Sequence, residues 1–221
     1  MKPKYFAFLW IGVVLFAVLA GIRTGSSYQK HKKIGDDFWV SQDPIDWEEE
    51  GKWKTTQQIS DKSEYILAVK KAGPSDFLYY TTLTPVKILR VFKGDGEDLT
   101  GKKIYLFEPA FPRFDSESYL PIRNYNLMLD GGEYLVFLNR RAFSDGYVPN
   151  RVERNSFLFT TNCALSRYLL NAGDSGAKSD ILHDVDDLKY KDIRLQDVII
   201  SDKKQMDYYN RFKKEMLAAY R

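Results

Sequence analysis

Hydrophobic residues along this chain follow two patterns. From Tyr5 to Ile22 they form one run of 18 residues without a charged side chain, preceded by Lys2 and Lys4 and followed by Arg23. As a helix rising about 1.5 Å per residue, the run would reach roughly 27 Å, close to the hydrocarbon thickness of a bilayer. It lies at the extreme N-terminus, is apolar all round and has basic flanks, which argues against a buried core helix. One N-terminal transmembrane helix is therefore expected over 1–22, with Phe6, Leu9, Val13, Phe16 and Leu19 in the anchor. Val18-Leu19-Ala20 before Gly21 also fits a signal-peptidase site, so release after Ala20 is the alternative. The run is longer than a usual signal core, which favours an uncleaved anchor.

Residues 23–36 read as a juxtamembrane linker, polar and flexible around Gly25-Ser26-Ser27. Its Lys30, His31, Lys32 and Lys33 read as a solvated flank that can also meet anionic headgroups. Residues 37–221 then read as one globular domain.

In that domain the pattern is of short apolar runs and alternations separated by turn residues. Tyr65-Ile66-Leu67-Ala68-Val69 has the length of a buried strand and ends at Gly73-Pro74. An extended stretch is expected from Phe77 to Phe92; Val86, Ile88 and Arg90 alternate there with Lys87, Leu89 and Val91, so both faces carry apolar residues. Such a strand is buried on both sides or bends around a barrel. Lys103-Ile104-Tyr105-Leu106-Phe107 is a third strand, followed by a loop holding Pro109, Pro112 and Pro121. Asp130-Gly131-Gly132 is a turn signal leading into Glu133–Leu138, and Ser156 to Thr161 is a further strand. Pro44-Ile45-Asp46-Trp47 suggests a turn, and Trp39, Trp47 and Trp53 are expected to cap a core. Toward the end, Met206, Tyr209, Phe212, Met216, Leu217 and Tyr220 repeat at helical spacing after Ser201 and Asp202, which predicts a C-terminal helix packed on its own barrel.

Composition agrees with a sheet: 15% of residues are aromatic. Lys plus Arg (33) against Asp plus Glu (30) leaves +3, too little for a global nucleic-acid field. With Cys163 as the one cysteine, an internal disulfide is impossible and the fold must rest on its core. The residues by themselves predict a mainly β domain with a C-terminal α-helix, preceded by the transmembrane helix.

The order Ile66–Lys70, Thr84–Gly94, Lys103–Leu106 and Leu129–Leu138 resembles the netrin-like domains, the OB-type barrels of tissue inhibitors of metalloproteinases. The likeness spans roughly Ser63 to Asn139 and implies a five-stranded Greek-key barrel that removes its strand edges by closure, so the fold class expected is mainly β, an OB-like Greek-key β-barrel with a C-terminal α-helix, preceded by the transmembrane helix. It does not bring inhibition with it. That activity uses an N-terminal Cys exposed by cleavage, whereas Gly21 follows Ala20 here and the one Cys lies far along the chain at 163. Basic residues balance across the leader, so the positive-inside rule decides no orientation; the resemblance and the signal-like leader place the domain outside the cytoplasm.

Chemistry is sparse. The two histidines are His31 and His183. His183-Asp184-Val185-Asp186-Asp187 has metal-capable side chains but no established ligand spacing, and reads as a solvated turn. Glu48-Glu49-Glu50 reads as a solvated face, Cys163 as a small buried hydrophobe, and Gly94-Asp95-Gly96 lacks the rest of a phosphate loop. A basic and aromatic set, Lys87, Arg90 and Lys93 with Tyr79, Tyr80 and Phe92, has the residue types of a nucleic-acid groove, but the near-neutral charge and the expected location outside the cytoplasm argue against it. The expectation is a non-enzymatic, single-pass membrane protein whose extracytoplasmic barrel binds a protein partner or supports an envelope assembly. It has no catalytic residue, metal or cofactor and neither nucleic acid nor a small molecule as ligand. Its partners are the bilayer and another membrane or envelope protein. A tethered hydrolase built on His183 and Asp186, or an inhibitor-like module released after Ala20, are the alternatives.

Overall fold

The computed structural model describes residues 11–18, 33–41, 53–96, 98–161, 163–173 and 187–220. The chain divides into two compact units, Met1–Lys32 and Lys33–Arg221. In the first, residues 11–18 are helical and their apolar side chains, Val13 and Phe16 among them, are exposed. Phe6, Leu9 and Leu19 lie outside the described residues. Among the described residues no helix is long and apolar enough to cross a membrane.

The second unit is mainly β. Its strands are β1 (Trp39–Val40), β2 (Tyr65–Lys71), β3 (Asp76–Phe77), β4 (Thr82–Lys93), β5 (Lys103–Glu108), β6 (Ala110–Arg113), β7 (Ser118–Pro121), β8 (Glu133–Arg140), β9 (Ser156–Phe159) and β10 (Arg167–Asn171). Helices α1 (Thr56–Lys62), α2 (Arg151–Arg154), α3 (Tyr190–Ile193) and α4 (Lys203–Ala219) complete it.

Five strands close into a barrel in the order β2–β4–β5–β9–β8 and back to β2. All neighbours are antiparallel except β5 and β9, which run parallel. Closure depends on one edge of β8 being shared. Its first half, Glu133 to Val136, pairs with β10, while Leu138 to Arg140 pair with β9. No backbone row on the barrel's seam is then left open for another chain. The connectivity is compatible with an OB-like scaffold, as expected.

Alternation divides the barrel's side chains between two cores. Leu67, Val69, Val86, Ile104, Val136 and Phe157 point inward. Ile66, Leu135 and Phe137 point outward and meet Ile59 of α1, Tyr168 of β10, and Tyr209 and Phe212 of α4. Because β2 and β8 are covered on both faces, they read as continuous apolar runs rather than alternations. The C-terminal helix does pack on its own barrel, burying Met206, Tyr209, Phe212 and Met216. Its cap is Asp202: the Asp202 carboxylate accepts from Gln205 N at 2.9 Å, an arrangement that contributes about 1 kcal/mol.

Three further readings are corrected. The extended stretch from Phe77 is broken at 78–81 by a turn closed by Leu78 N donating to Thr81 O at 2.9 Å. In β4, the β2 register skips Leu89 and Phe92, so the inward set is Val86, Ile88 and Val91, and Arg90 is exposed. These bulges bend the strand around the barrel. The proline-rich loop after β5 contains a hairpin, β6–β7, which with β1 forms a separate three-stranded sheet. Pro112 lies in β6, an edge strand, where a missing N–H costs least.

Asp130-Gly131-Gly132 is a turn, with Gly131 at φ +70° and Gly132 N donating to Leu129 O. The segment before it, residues 126–129, is buried yet belongs to no strand. Side chains take the place of a neighbouring strand there. Leu127 N donates to Tyr119 OH at 3.2 Å, Met128 N to Glu108 Oε2 at 2.8 Å and Leu129 N to Tyr134 OH at 2.7 Å. A buried amide without such an acceptor would cost about 1–3 kcal/mol.

Candidate functional site

Two places concentrate chemistry, one sealed and one open. The sealed one begins at Glu108, whose fully buried carboxylate accepts from Thr84 Oγ1, from Tyr125 OH at 2.7 Å and from Met128 N. The other face of Tyr125 lies under the guanidinium of Arg167, 4.6 Å from the ring centroid, and Tyr134 lies 4.8 Å from it. Arg167 is fully buried and pairs with Asp197 at 3.0 Å. Asp197 also accepts from Tyr209 OH at 3.0 Å and pairs with Lys213 at 3.2 Å. Among the described residues, Arg167 Nε and Nη1 have no hydrogen-bond acceptor, and the two tyrosine rings are what faces the guanidinium.

Burial opposes the charge on Arg167, yet Tyr125, Asp197, Tyr134 and Tyr209 together hold its pKa above the ordinary value. The tyrosines contribute to this only when ionised. Burial pushes Tyr125 and Tyr209 well up and Tyr134 up to about 12, so near neutrality Asp197 is the group that matches the arginine. The network ties β5, β10, residue 197 and α4 together. Its charges are enclosed and mutually compensated, an arrangement suited to holding a fold rather than to turning over a substrate.

The open place is the outer face of β4, β5 and β9. Neither apolar core includes its side chains. Leu83, Phe107 and Leu158 stand opposite one another in register, with Tyr105 on the next row of β5. Leu83, Phe107 and Tyr105 are half-buried, and Leu158 is 42% exposed. Four residues along the strands, Lys87 stands opposite Lys103, and Lys70 of β2 stands beside Lys87 in the same row. The loop from β8 to β9 flanks the apolar row. Its Arg141 lies over Phe107 (5.5 Å) and Phe143 (5.2 Å), and Phe143 stacks on Tyr147 at 5.7 Å. At the β3–β4 turn Tyr79 and Tyr80 meet edge to face at 4.3 Å and are 75% and 68% exposed.

The residues weighed as a nucleic-acid groove do not converge. Tyr79 and Tyr80 lie at the turn before β4, whereas Lys93 at its far end donates to the carbonyls of Ser60 and Asp61, and Arg90 lies over Phe92, itself packed against Tyr220. Cys163 is buried, with Sγ 3.2 Å from Thr161 Oγ1. Trp53 packs against the outer core, as expected of a cap, while Trp39 is 50% exposed. His31, Trp47, the Glu48-Glu49-Glu50 triplet, His183, Asp184 and Asp186 lie outside the described residues. Among the described residues no group of three or more His, Cys, Asp or Glu could hold a metal ion.

Sequence reasoning found Lys87, Tyr105 and Phe107 as strand residues but not as a surface, and it missed Arg167, Asp197 and Glu108 altogether. A charged residue inside an apolar run was the available signal for Arg167, in Arg167-Tyr168-Leu169-Leu170. Compared with known proteins, the chain matches no family model and no curated protein significantly.

Proposed function

We propose that this chain is a membrane-tethered, non-enzymatic binding protein whose barrel lies outside the cytoplasm and receives a protein partner on the outer face of β4, β5 and β9. The observation that carries the reading is the row Leu83, Phe107 and Leu158, apolar side chains held in register on a face that neither core covers. Contiguous apolar surface rimmed by polar groups is characteristic of interaction sites. The apolar run Tyr5–Ile22 supports the tether. From Arg23 to Lys32 the covalent reach is at most about 35 Å, so a domain fixed by that run works close to the bilayer. The likeness to netrin-like domains enters for the scaffold alone, since a fold does not bring its relatives' activities with it.

The test uses the full chain in its native membranes, with a photo-crosslinking residue in place of Leu158 and, as control, in place of the exposed Lys214 on α4. A crosslink to a protein at 158 but not at 214, in material that stays in the pellet on alkaline carbonate extraction and is cut by protease added outside, is the expected result. Release into the carbonate supernatant overturns the tether, and equal or absent crosslinking at 158 overturns the face.

A further inference from the structure

The lysines of the open face identify the kind of segment that binds there. Lys87 and Lys103 stand directly opposite each other across β4 and β5, an arrangement that costs stability because like charges repel. Lys70, third in the row, is matched by Glu133 at 3.2 Å. Among the described residues neither Lys87 nor Lys103 forms an ion pair; the Lys103 ammonium lies over Tyr105 at 5.5 Å. Both are exposed. The fold gains nothing from this pairing.

The spacing on the face adds a second constraint. The lysine pair and the row of Leu83 and Phe107 are four residues apart along the strands, roughly 13 Å at about 3.3 Å per residue. An extended peptide lying along β4 and β5 covers the same distance with the same number of residues. Resting on the binding reading above, we infer that this face takes an extended, acidic segment of a partner protein, with carboxylates over Lys87 and Lys103 and an apolar or aromatic side chain four residues away on Leu83, Phe107 and Leu158. Glu133, beyond Lys70 in the same row, is taken up by Lys70, and in the flanking segment Tyr147 OH donates to Glu153 at 2.6 Å. A single-stranded nucleic acid fits less well: it needs free ring faces for stacking, and here Lys103 lies over Tyr105 and Arg141 over Phe107.

The probe is a fluorescein-labelled peptide, Glu-Glu-Ser-Thr-Ser-Phe-Leu-Ser, titrated into the full chain in detergent micelles and read by anisotropy. Controls are the same peptide with Lys for both Glu, and a ten-residue oligothymidylate as competitor. The acidic peptide is expected to bind more weakly as salt rises, and Lys87→Gln with Lys103→Gln to weaken it roughly tenfold. The same double variant should melt no lower than the parent, because it removes a repulsion. No binding of the acidic peptide, equal binding of the basic peptide, undiminished binding by the double variant or displacement by the oligonucleotide each overturns the inference. A crosslink from position 158 to residues 46–50 of this same chain would also overturn it. A protein crosslink at 158 combined with failure of the acidic peptide would leave the binding face standing and remove only the acidic partner.

Discussion

The buried pair Arg167–Asp197 should respond asymmetrically to removal of its two members. In Asp197→Ala the guanidinium keeps the carbonyl of residue 197 and the two tyrosine faces but loses the carboxylate, leaving a fully buried cation unmatched. Such a loss costs about 3–5 kcal/mol. In Arg167→Met the carboxylate retains Tyr209 OH at 3.0 Å and Lys213 at 3.2 Å, and Lys213 is itself 22% exposed, so the remaining charge is still compensated. That variant should lose about 2 kcal/mol, the value of a hydrogen bond to a charged group. The double variant should cost less than the two added together, by about 1–3 kcal/mol, because the residues are in direct contact. For a domain of this size about 1 kcal/mol moves the melting temperature by roughly 2–4 °C. Asp197→Ala should then melt roughly 6–20 °C below the parent, measured by near-ultraviolet circular dichroism on the full chain in detergent. If Arg167→Met proves the more damaging change, or if the two losses add, Lys213 and Tyr209 do not compensate Asp197 and the reasoning fails.

Glu108→Ala removes the acceptor for three buried donors, Thr84, Tyr125 and Met128, and should cost about 3 kcal/mol or more in urea unfolding, with Glu108→Gln milder because one oxygen remains. Gly132→Ala would place a Cβ 2.8 Å from the Tyr134 ring and 3.1 Å from Leu129 O, so it should lose about 1–3 kcal/mol, whereas Lys214→Ala on the exposed side of α4 should stay within about 0.5 kcal/mol in the same assay. Alkali should destabilise the fold through its buried tyrosines. Burial raises Tyr134 and Tyr190 from 10 to about 12, so the unfolded chain loses those protons first, and their contribution is complete below pH 10 and lost as pH rises to 12. Each should remove about 1.4 kcal/mol per pH unit in that interval. Unfolding midpoints across that range, with tyrosinate absorbance followed in parallel, check this; a flat stability between pH 10 and 12 would contradict it.

The barrel strands β2 and β8 were legible because their apolar runs carry burial on both faces, and β5 and β9 because they are short apolar runs of strand length; both signals are local to each strand. The C-terminal helix was legible for the same kind of reason, since its apolar stripe has a fixed period. Elements whose stability comes from neighbours were not legible. Pro112 and Pro121 suggested a loop, yet β6 and β7 pair, with Pro112 on the edge strand and Pro121 at the end of β7, past its pairing with β1. The bulges at Leu89 and Phe92 are set by the β2 register, so the reversal that exposes Arg90 cannot be seen from alternation along β4 alone. The candidate face depends on such pairings throughout. Lys87 and Lys103, like Leu83 and Phe107, are ordinary strand residues until the β4–β5 ladder puts them opposite one another and the helices cover the other half of the barrel.

Period and composition along the chain therefore settled which segments bury apolar surface, that the globular part is mainly β, and that no internal disulfide supports it. Tertiary structure alone decided which half of the barrel's exterior the helices cover, and which charges meet inside it. Arg167 and Asp197 are 30 residues apart and come within 3.0 Å only after the segment ahead of α4 folds back over β10. Periodicity reports how a residue sits relative to its immediate neighbours, whereas pairing of charges and exposure of a face depend on segments that chain topology brings together from a distance.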